Sequence, residues 1–126
     1  MKVYAFDVDD TLEVSNGPVT IKMIVDLRNQ GHVVGLCGNW QVFIQCVPEW
    51  YKLIQFLNYG QVKNVALFEL KRMIPGADEY IMVGNVGPLD SKTWGVPQSG
   101  GSDDMSQAKG ADWRFIAEKA FFDGER

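Results

Sequence analysis

The chain has 126 residues, of which 46% are hydrophobic and 22% are charged, a composition typical of one globular domain. Its net charge of −4 disfavours generic nucleic-acid binding, which needs a basic surface. No apolar run is long enough to cross a membrane, and acidic residues stand where the apolar segment of a signal peptide would continue. We therefore expect one cytoplasmic domain over residues 1–126, with no membrane partner.

The cysteine and histidine content argues against a stabilising disulfide and against a structural zinc site. Cys37 and Cys46 are the only thiols, and a disulfide between them is not expected in a reducing compartment. The single histidine, His32, excludes a zinc cluster of the usual Cys/His kind. At this length a hydrophobic core is expected to stabilise the fold.

The first predicted strand ends in three carboxylates. Residues 3–6 are apolar and β-prone, and Asp7, Asp9 and Asp10 follow them, before Thr11. Because side chains alternate along a strand, Asp7 and Asp9 fall on one side if the extended geometry continues. Two such carboxylates repel each other unless a cation or a shared proton lies between them, and oxygen ligands suit Mg²⁺. The alternative is an acidic strand end that water solvates.

The next stretch predicts a parallel βαβ unit. Thr20 is a candidate N-cap for a helix that ends near Gly31. Residues 32–37 form a short apolar run, which predicts a second buried strand that ends at Gly38 and Asn39. A strand, a helix and a strand in this order favour a right-handed crossover.

Residues 40–59 are unusually rich in aromatic side chains. We expect one or two helices here, the second over residues 48–58, with a wide apolar face. This face would belong to the core or, alternatively, to a self-association interface. A homodimer is therefore a possible assembly.

The second half of the chain continues to alternate between helix and strand. We expect a helix over residues 64–73, with Val65, Phe68, Leu70 and Ile74 on its apolar side. The pattern then predicts a strand at 79–83, a short helix from 103 to 110, a strand at 113–116 and a last segment at 117–122.

Residues 86–102 are rich in Gly, Pro and Ser and show no periodicity, which predicts a long loop. Long loops in compact domains are usually functional, so this one, with Lys92 and Trp94, is a candidate partial lid. A surface insertion without a role is the alternative.

Polar residues follow three of the predicted strands, at Asp7 and Asp9, at Gly38 and Asn39, and at Asn85. In an open parallel sheet the ligand crevice lies outside the carboxyl ends of the strands. We therefore expect these three strand ends to converge on one site, which favours the metal interpretation of the carboxylates.

With these motifs the chain resembles the haloacid dehalogenase (HAD-like) hydrolase superfamily. Residues 3–11, VYAFDVDDT, match its first motif, hhhhDxDx[TV], in which h is apolar. Residues 36–39, LCGN, resemble its second motif, with Gly38 in place of the hydroxyl residue. The third motif is a lysine at the start of a helix, which Lys63 matches, with Lys71 as a later rival.

The fourth motif of the family is an apolar strand followed by Gly-Asp and then by a second acid. Residues 81–85, IMVGN, resemble it, with Asn85 in place of the aspartate. The second acid is Asp90 or Asp104. We favour Asp104, because the residues after it resemble the family's downstream pattern, and residues 86–102 then form an insertion within the motif.

The alternation of strands and helices predicts an α/β fold with a mostly parallel sheet, and the resemblance implies that this is a three-layer Rossmann-like domain. The family often carries a cap domain, but the gaps at residues 12–31 and 40–62 are too short for one, so we expect no cap domain. The resemblance also implies a Mg²⁺-dependent phosphatase that acts on a phosphomonoester through an aspartyl-phosphate. Asp7 would be the nucleophile, Asp9 the general acid and base, and Lys63 the cation that stabilises the nucleophile and the phosphoryl oxygens. The implied phosphate ligands are Gly38, Asn39 and Lys63, and the implied metal ligands are Asp7, Asp9 (through its carbonyl), Asn85 and Asp104.

A site without a cap is open, which suits a large phosphorylated substrate or a site that a neighbouring subunit closes. Two other functions stay open. One is a phosphate- or partner-binding module on the same fold that is weakly active or inactive. The other is a phosphoryl-transfer enzyme whose acceptor is not water.

Overall fold

A computed structural model describes residues 1–58, 63–85 and 104–126, and the predicted loop at 86–102 lies outside these ranges. Single 3₁₀ turns lie at Glu13–Ser15 and Trp50–Lys52. The strands are β1 (Lys2–Phe6), β2 (Val33–Cys37), β3 (Phe56–Asn58), β4 (Glu79–Gly84) and β5 (Arg114–Ala117), and the helices are α1 (Ile21–Asn29), α2 (Trp40–Cys46), α3 (Lys63–Met73), α4 (Asp104–Gly110) and α5 (Glu118–Phe122).

The five strands form one parallel sheet in the order β3-β2-β1-β4-β5. From β1 the chain builds outwards through β2 to β3, then crosses to the other side of β1 to add β4 and β5. The strand order therefore reverses between β1 and β4, and this is where the ligand crevice of an open parallel sheet forms. The predicted α/β fold with a parallel sheet is confirmed.

Alternate side chains of β1 enter two separate cores, one on each face of the sheet. Tyr4 and Phe6 are fully buried with residues of α1, α2 and α5, such as Phe121. Val3 and Ala5 are fully buried with residues of α3 and α4 on the opposite face. Because both faces are covered, β1 is apolar at every buried position, as is typical of a central parallel strand. The predicted three layers are confirmed.

The predicted βαβ unit is present with the expected ends. The Thr20 hydroxyl oxygen accepts a hydrogen bond from the backbone N–H of Met23 at 3.2 Å and so caps α1. The helix buries Ile24 and Leu27 against the sheet. It ends before Gly31, whose φ of +89° is the left-handed conformation common at helix ends.

The predicted second helix at residues 48–58 is wrong, since a 3₁₀ turn and the edge strand β3 occupy this stretch. Hydrogen bonds to β2 replace those of a helix here. The Gln55 N–H donates to the Val34 carbonyl at 2.8 Å, and the Gln55 side chain accepts from the Val34 N–H at 3.0 Å. Phe56 covers Gly35, where a Cβ would lie 2.3 Å from its ring. Strand pairing thus overrides the helical pattern.

Helix α3 is present, but its predicted apolar side is only partly correct. Val65 and Phe68 are 57% and 53% exposed, whereas Leu67 and Leu70 are buried in the core between α3 and the sheet. Spacing by three and four residues was compatible with either set. The position of the helix on the sheet decides which set it buries.

Two kinds of element are absent from the described ranges. Between β1 and β2 these ranges contain one 3₁₀ turn and α1, and between β2 and β4 they contain α2, a 3₁₀ turn, β3 and α3, so they include no cap domain. None of the helices in the same ranges is both long and apolar enough to cross a bilayer. Cys37 is a buried free thiol and Cys46 an exposed one.

Candidate active site

Four polar side chains meet where the strand order reverses, and we call them the Asp7 cluster: Asp7, Lys63, Asn85 and Asp104. Asp7 directly follows β1, and its N–H donates to the Val83 carbonyl at 2.9 Å, which extends the β1–β4 ladder by one bond. Asn85 directly follows β4, whereas Lys63 and Asp104 are the first residues of α3 and α4. Asp7 is only 3% exposed and Asp104 is fully buried.

Lys63 joins the two buried carboxylates of the cluster. Its Nζ lies 2.9 Å from Asp7 Oδ1 and 2.7 Å from Asp104 Oδ1. The rival lysine, Lys71, lies near the other end of α3, where its Nζ contacts the exposed Asp112 carboxylate at 3.3 Å. The structure therefore brings Lys63, and not Lys71, to Asp7.

The charges of the cluster do not balance, because it holds two carboxylates and one ammonium. Burial raises the pKa of Asp7 to about 7, against the effect of Lys63 and with a further contribution from Asp104. Burial by itself lowers the pKa of Lys63, but the two carboxylates outweigh it and hold that pKa above its ordinary value. The cluster thus favours one more positive charge beside Asp7.

Asn85 ties the end of β4 to the end of β1. Its Nδ2 donates to Asp7 Oδ2 at 2.9 Å and to the Asp9 carbonyl at 3.3 Å. Its backbone N–H donates to Asp104 Oδ2 at 2.9 Å. A backbone carbonyl can only accept, so the nitrogen of the amide, rather than its oxygen, must face Asp9. The Thr11 hydroxyl also reaches Asp7 Oδ2, at 3.3 Å.

Asp9 lies at the rim of the cluster, where it is partly exposed. Its Oδ1 accepts hydrogen bonds from the Ser15 hydroxyl at 3.0 Å and from Asn39 Nδ2 at 3.3 Å. Asn39 thus orients the predicted acid and base, and its expected role as a phosphate ligand stays a prediction. Ser15 was missed, since only the folded turn after β1 brings it back to Asp9. Asp10 is exposed, with a left-handed φ of 59°.

Gly38 is a glycine because Asp7 leaves no room for a side chain. A Cβ at this position would lie 2.8 Å from Asp7 Oδ1, and its φ of +136° is a conformation that favours glycine. Gly84 is similarly constrained, since a Cβ there would lie 2.4 Å from Asp104 Oδ2. A side chain at position 38 would therefore press on Asp7, so the glycine found there in place of a hydroxyl residue fits the geometry around Asp7.

Gly38→Ser is expected to destabilise the protein by about 2 kcal/mol or more rather than to improve the site, because it adds both backbone strain and a contact with Asp7. Urea unfolding measures the free energy. Gly76→Ser is the matched control, because Gly76 also has a positive φ, +85°, but has open space around it. Equal losses in the two variants would contradict the steric explanation.

The oxygen atoms of the site suit a hard divalent cation, although the acids alone do not form a metal site. In the part of the chain that the structure describes, no group of three or more His, Cys, Asp and Glu residues is placed to hold a metal. However, Asp7 Oδ2 and the Asp9 carbonyl converge on one point, now occupied by Asn85 Nδ2. With the Asn85 side-chain oxygen they would provide three oxygen ligands, a set typical of Mg²⁺.

Of the two candidates for the second acid of the fourth motif, Asp90 and Asp104, the structure describes only Asp104. Both carboxylate oxygens of Asp104 accept hydrogen bonds, from Lys63 Nζ and from the Asn85 N–H, so Asp104 orients two members of the cluster. Its role as a metal ligand stays a prediction. Asp90 lies outside the described residues.

No protein-family model, curated protein or solved structure was found to match this chain.

Proposed function

We propose that this chain is a Mg²⁺-dependent phosphatase of the HAD-like kind, which hydrolyses a phosphomonoester through an aspartyl-phosphate. One observation carries the proposal: Asp7 is a buried carboxylate at the strand-order reversal, with Lys63 Nζ 2.9 Å from one of its oxygens. A carboxylate held beside a fixed ammonium, at the position where parallel sheets bind ligands, is suited to attack an anionic group.

Asp7 and Asp9 have different roles in the proposed reaction. Asp7 attacks phosphorus, which forms an aspartyl–phosphate bond and breaks the ester bond, while Asp9 gives its proton to the leaving oxygen. Asp9 then removes a proton from water, and the water oxygen attacks phosphorus, which releases inorganic phosphate and restores the Asp7 carboxylate. The hydrogen bonds from Ser15 and Asn39 to Asp9 Oδ1 keep this acid in place for both steps.

The remaining residues of the site would bind the phosphoryl group and neutralise its negative charge. Lys63 keeps Asp7 oriented and neutralises part of the negative charge of the phosphoryl group. Magnesium held by Asp7, the Asp9 carbonyl and Asn85 would supply the further positive charge that the cluster lacks and would polarise a phosphoryl oxygen. The backbone N–H groups at Gly38 and Asn39 are the candidates for binding the other phosphoryl oxygens.

We further propose that the substrate is a large phosphorylated molecule and that the protein is cytoplasmic. If a second subunit closes the site, the protein forms a homodimer. The absence of a cap from the described ranges supports a large substrate. A site that no cap covers leaves room for a large molecule.

The test is the hydrolysis of an aryl phosphate, measured with Mg²⁺ and with EDTA. We expect release of phosphate only with Mg²⁺. Acid quenching during turnover followed by mass spectrometry should find one phosphoryl group on the peptide that contains Asp7. Turnover without an acid-stable phosphopeptide, or with the phosphoryl group on another residue, would refute the aspartyl-phosphate mechanism.

A phosphate-binding module without turnover is the second candidate, and one observation favours it. Asp7 Oδ1 lies 2.9 Å from Lys63 Nζ and Asp7 Oδ2 lies 2.9 Å from Asn85 Nδ2, so the nucleophile already has hydrogen-bond donors on both of its oxygens. Saturable binding of inorganic phosphate or tungstate by calorimetry, without hydrolysis of any phosphate ester, would support this candidate over the enzyme.

A further inference from the structure

The side-chain amide of Asn85 lies where the proposed function requires a cation. We propose that this amide replaces the divalent cation while the site lacks metal, and that metal binds only when the amide turns. The inference rests on the proposed function, because it concerns the metal dependence of the same site. It assigns Asn85 the role of setting how tightly the metal is held.

The contacts of Asn85 Nδ2 support the first half of the inference. Its two acceptors, Asp7 Oδ2 at 2.9 Å and the Asp9 carbonyl at 3.3 Å, are two of the oxygens expected to bind Mg²⁺. An NH₂ group carries two hydrogens with partial positive charge, so it satisfies both oxygens at once. The amide thus holds the ends of β1 and β4 together without a metal.

The chemistry of an amide supports the second half. Hard cations bind the oxygen of an asparagine side chain, so the nitrogen must leave both acceptors before Asn85 can become a ligand. The backbone of Asn85 is fixed independently, because its N–H donates to Asp104 Oδ2 at 2.9 Å. A rotation of the side chain is therefore sufficient, and its cost includes the loss of these two hydrogen bonds.

An aspartate at this position would behave differently. A carboxylate cannot donate to Asp7 or to the Asp9 carbonyl, and it would repel Asp7 when no cation lies between them. The same carboxylate would add a full negative charge to the ligand set, which raises affinity for Mg²⁺. Compared with an aspartate, Asn85 therefore lowers the affinity of the site for Mg²⁺ and makes the site more stable without metal.

The test compares Mg²⁺ binding by isothermal titration calorimetry in the wild type and in Asn85→Asp. We expect at least about tenfold tighter binding in the variant. We also expect a lower unfolding temperature than the wild type in EDTA, recovered on addition of Mg²⁺ but not of NaCl at the same ionic strength. Asn29→Asp, which adds the same charge at an exposed position of α1, should change neither property.

A second measurement uses the unmodified protein, so it is informative even if the variant folds poorly. NMR of ¹⁵N-labelled protein should show the Asn85 side-chain NH₂ protected from exchange in EDTA, with its resonances shifted and its protection lost at saturating Mg²⁺. An Asn85 NH₂ that stays protected at saturating Mg²⁺, or equal Mg²⁺ affinity in the wild type and in Asn85→Asp, would overturn the inference.

These measurements involve no phosphate ester, so their outcome is distinguishable from that of the hydrolysis assay. A chain without phosphatase activity that binds Mg²⁺ more tightly after Asn85→Asp would support the inference and refute the enzyme. An active enzyme whose Mg²⁺ affinity does not change in Asn85→Asp would support the phosphatase and overturn the inference about Asn85.

Discussion

Asp7→Asn is expected to lower Mg²⁺-dependent hydrolysis of an aryl phosphate by a factor on the order of 10³ or more. The amide nitrogen cannot attack phosphorus as a carboxylate does, and an amide at this position also lacks the charge that attracts Lys63 and would attract the proposed Mg²⁺. The measurement is kcat and KM at saturating Mg²⁺, with circular dichroism to show that the variant is folded.

Asp10→Asn is the matched control for this prediction. Asp10 carries the same functional group three positions further along the chain, but it is exposed and has a left-handed φ of 59°, a conformation that asparagine adopts readily. Its activity should stay within about twofold of the wild type, as expected for an exposed side chain that has no role in the proposed mechanism. Equal activity in Asp7→Asn and in Asp10→Asn would remove Asp7 from the mechanism.

Lys63→Met is expected to lower the free energy of unfolding by about 3 kcal/mol or more, because it leaves two carboxylates without their shared cation. The Lys63 side chain is 12% exposed, and those of Asp7 and Asp104 are 4% and 0% exposed, so water cannot replace the lost ammonium well. Urea unfolding at neutral pH measures the change.

Lys71→Met on the same helix is the control, because its ion pair with Asp112 is exposed and should contribute less than about 1 kcal/mol. The double variant Lys63→Met with Asp104→Asn should recover part of the lost stability, since it removes one of the two buried carboxylates that Lys63→Met leaves without a cation. A Lys63→Met variant as stable as Lys71→Met would contradict the buried ion-pair network.

The elements with strong local signals were predictable from sequence. The Thr20 cap, the Gly31 stop and the apolar runs of β1, β2 and β4 all depend on residues close together in the chain. The 48–58 stretch was not predictable in this way, because β3 forms through hydrogen bonds with β2 that no local pattern encodes. The packed side of α3 was predicted only in part, because the position of the helix on the sheet decides which residues it buries.

The amino-acid sequence by itself determined the strand that ends in Asp7 and Asp9, the alternation that produces a parallel sheet, and the lysine at the start of α3. Local hydrophobic periodicity and turn residues are sufficient for those features. Only the tertiary structure decided that Asn85 donates to Asp7 and Asp9, that Asp104 shares Lys63 with Asp7, and that Asp7 excludes a side chain at position 38. These contacts join residues far apart in the chain, and they exist only once the sheet order places the ends of β1 and β4 side by side.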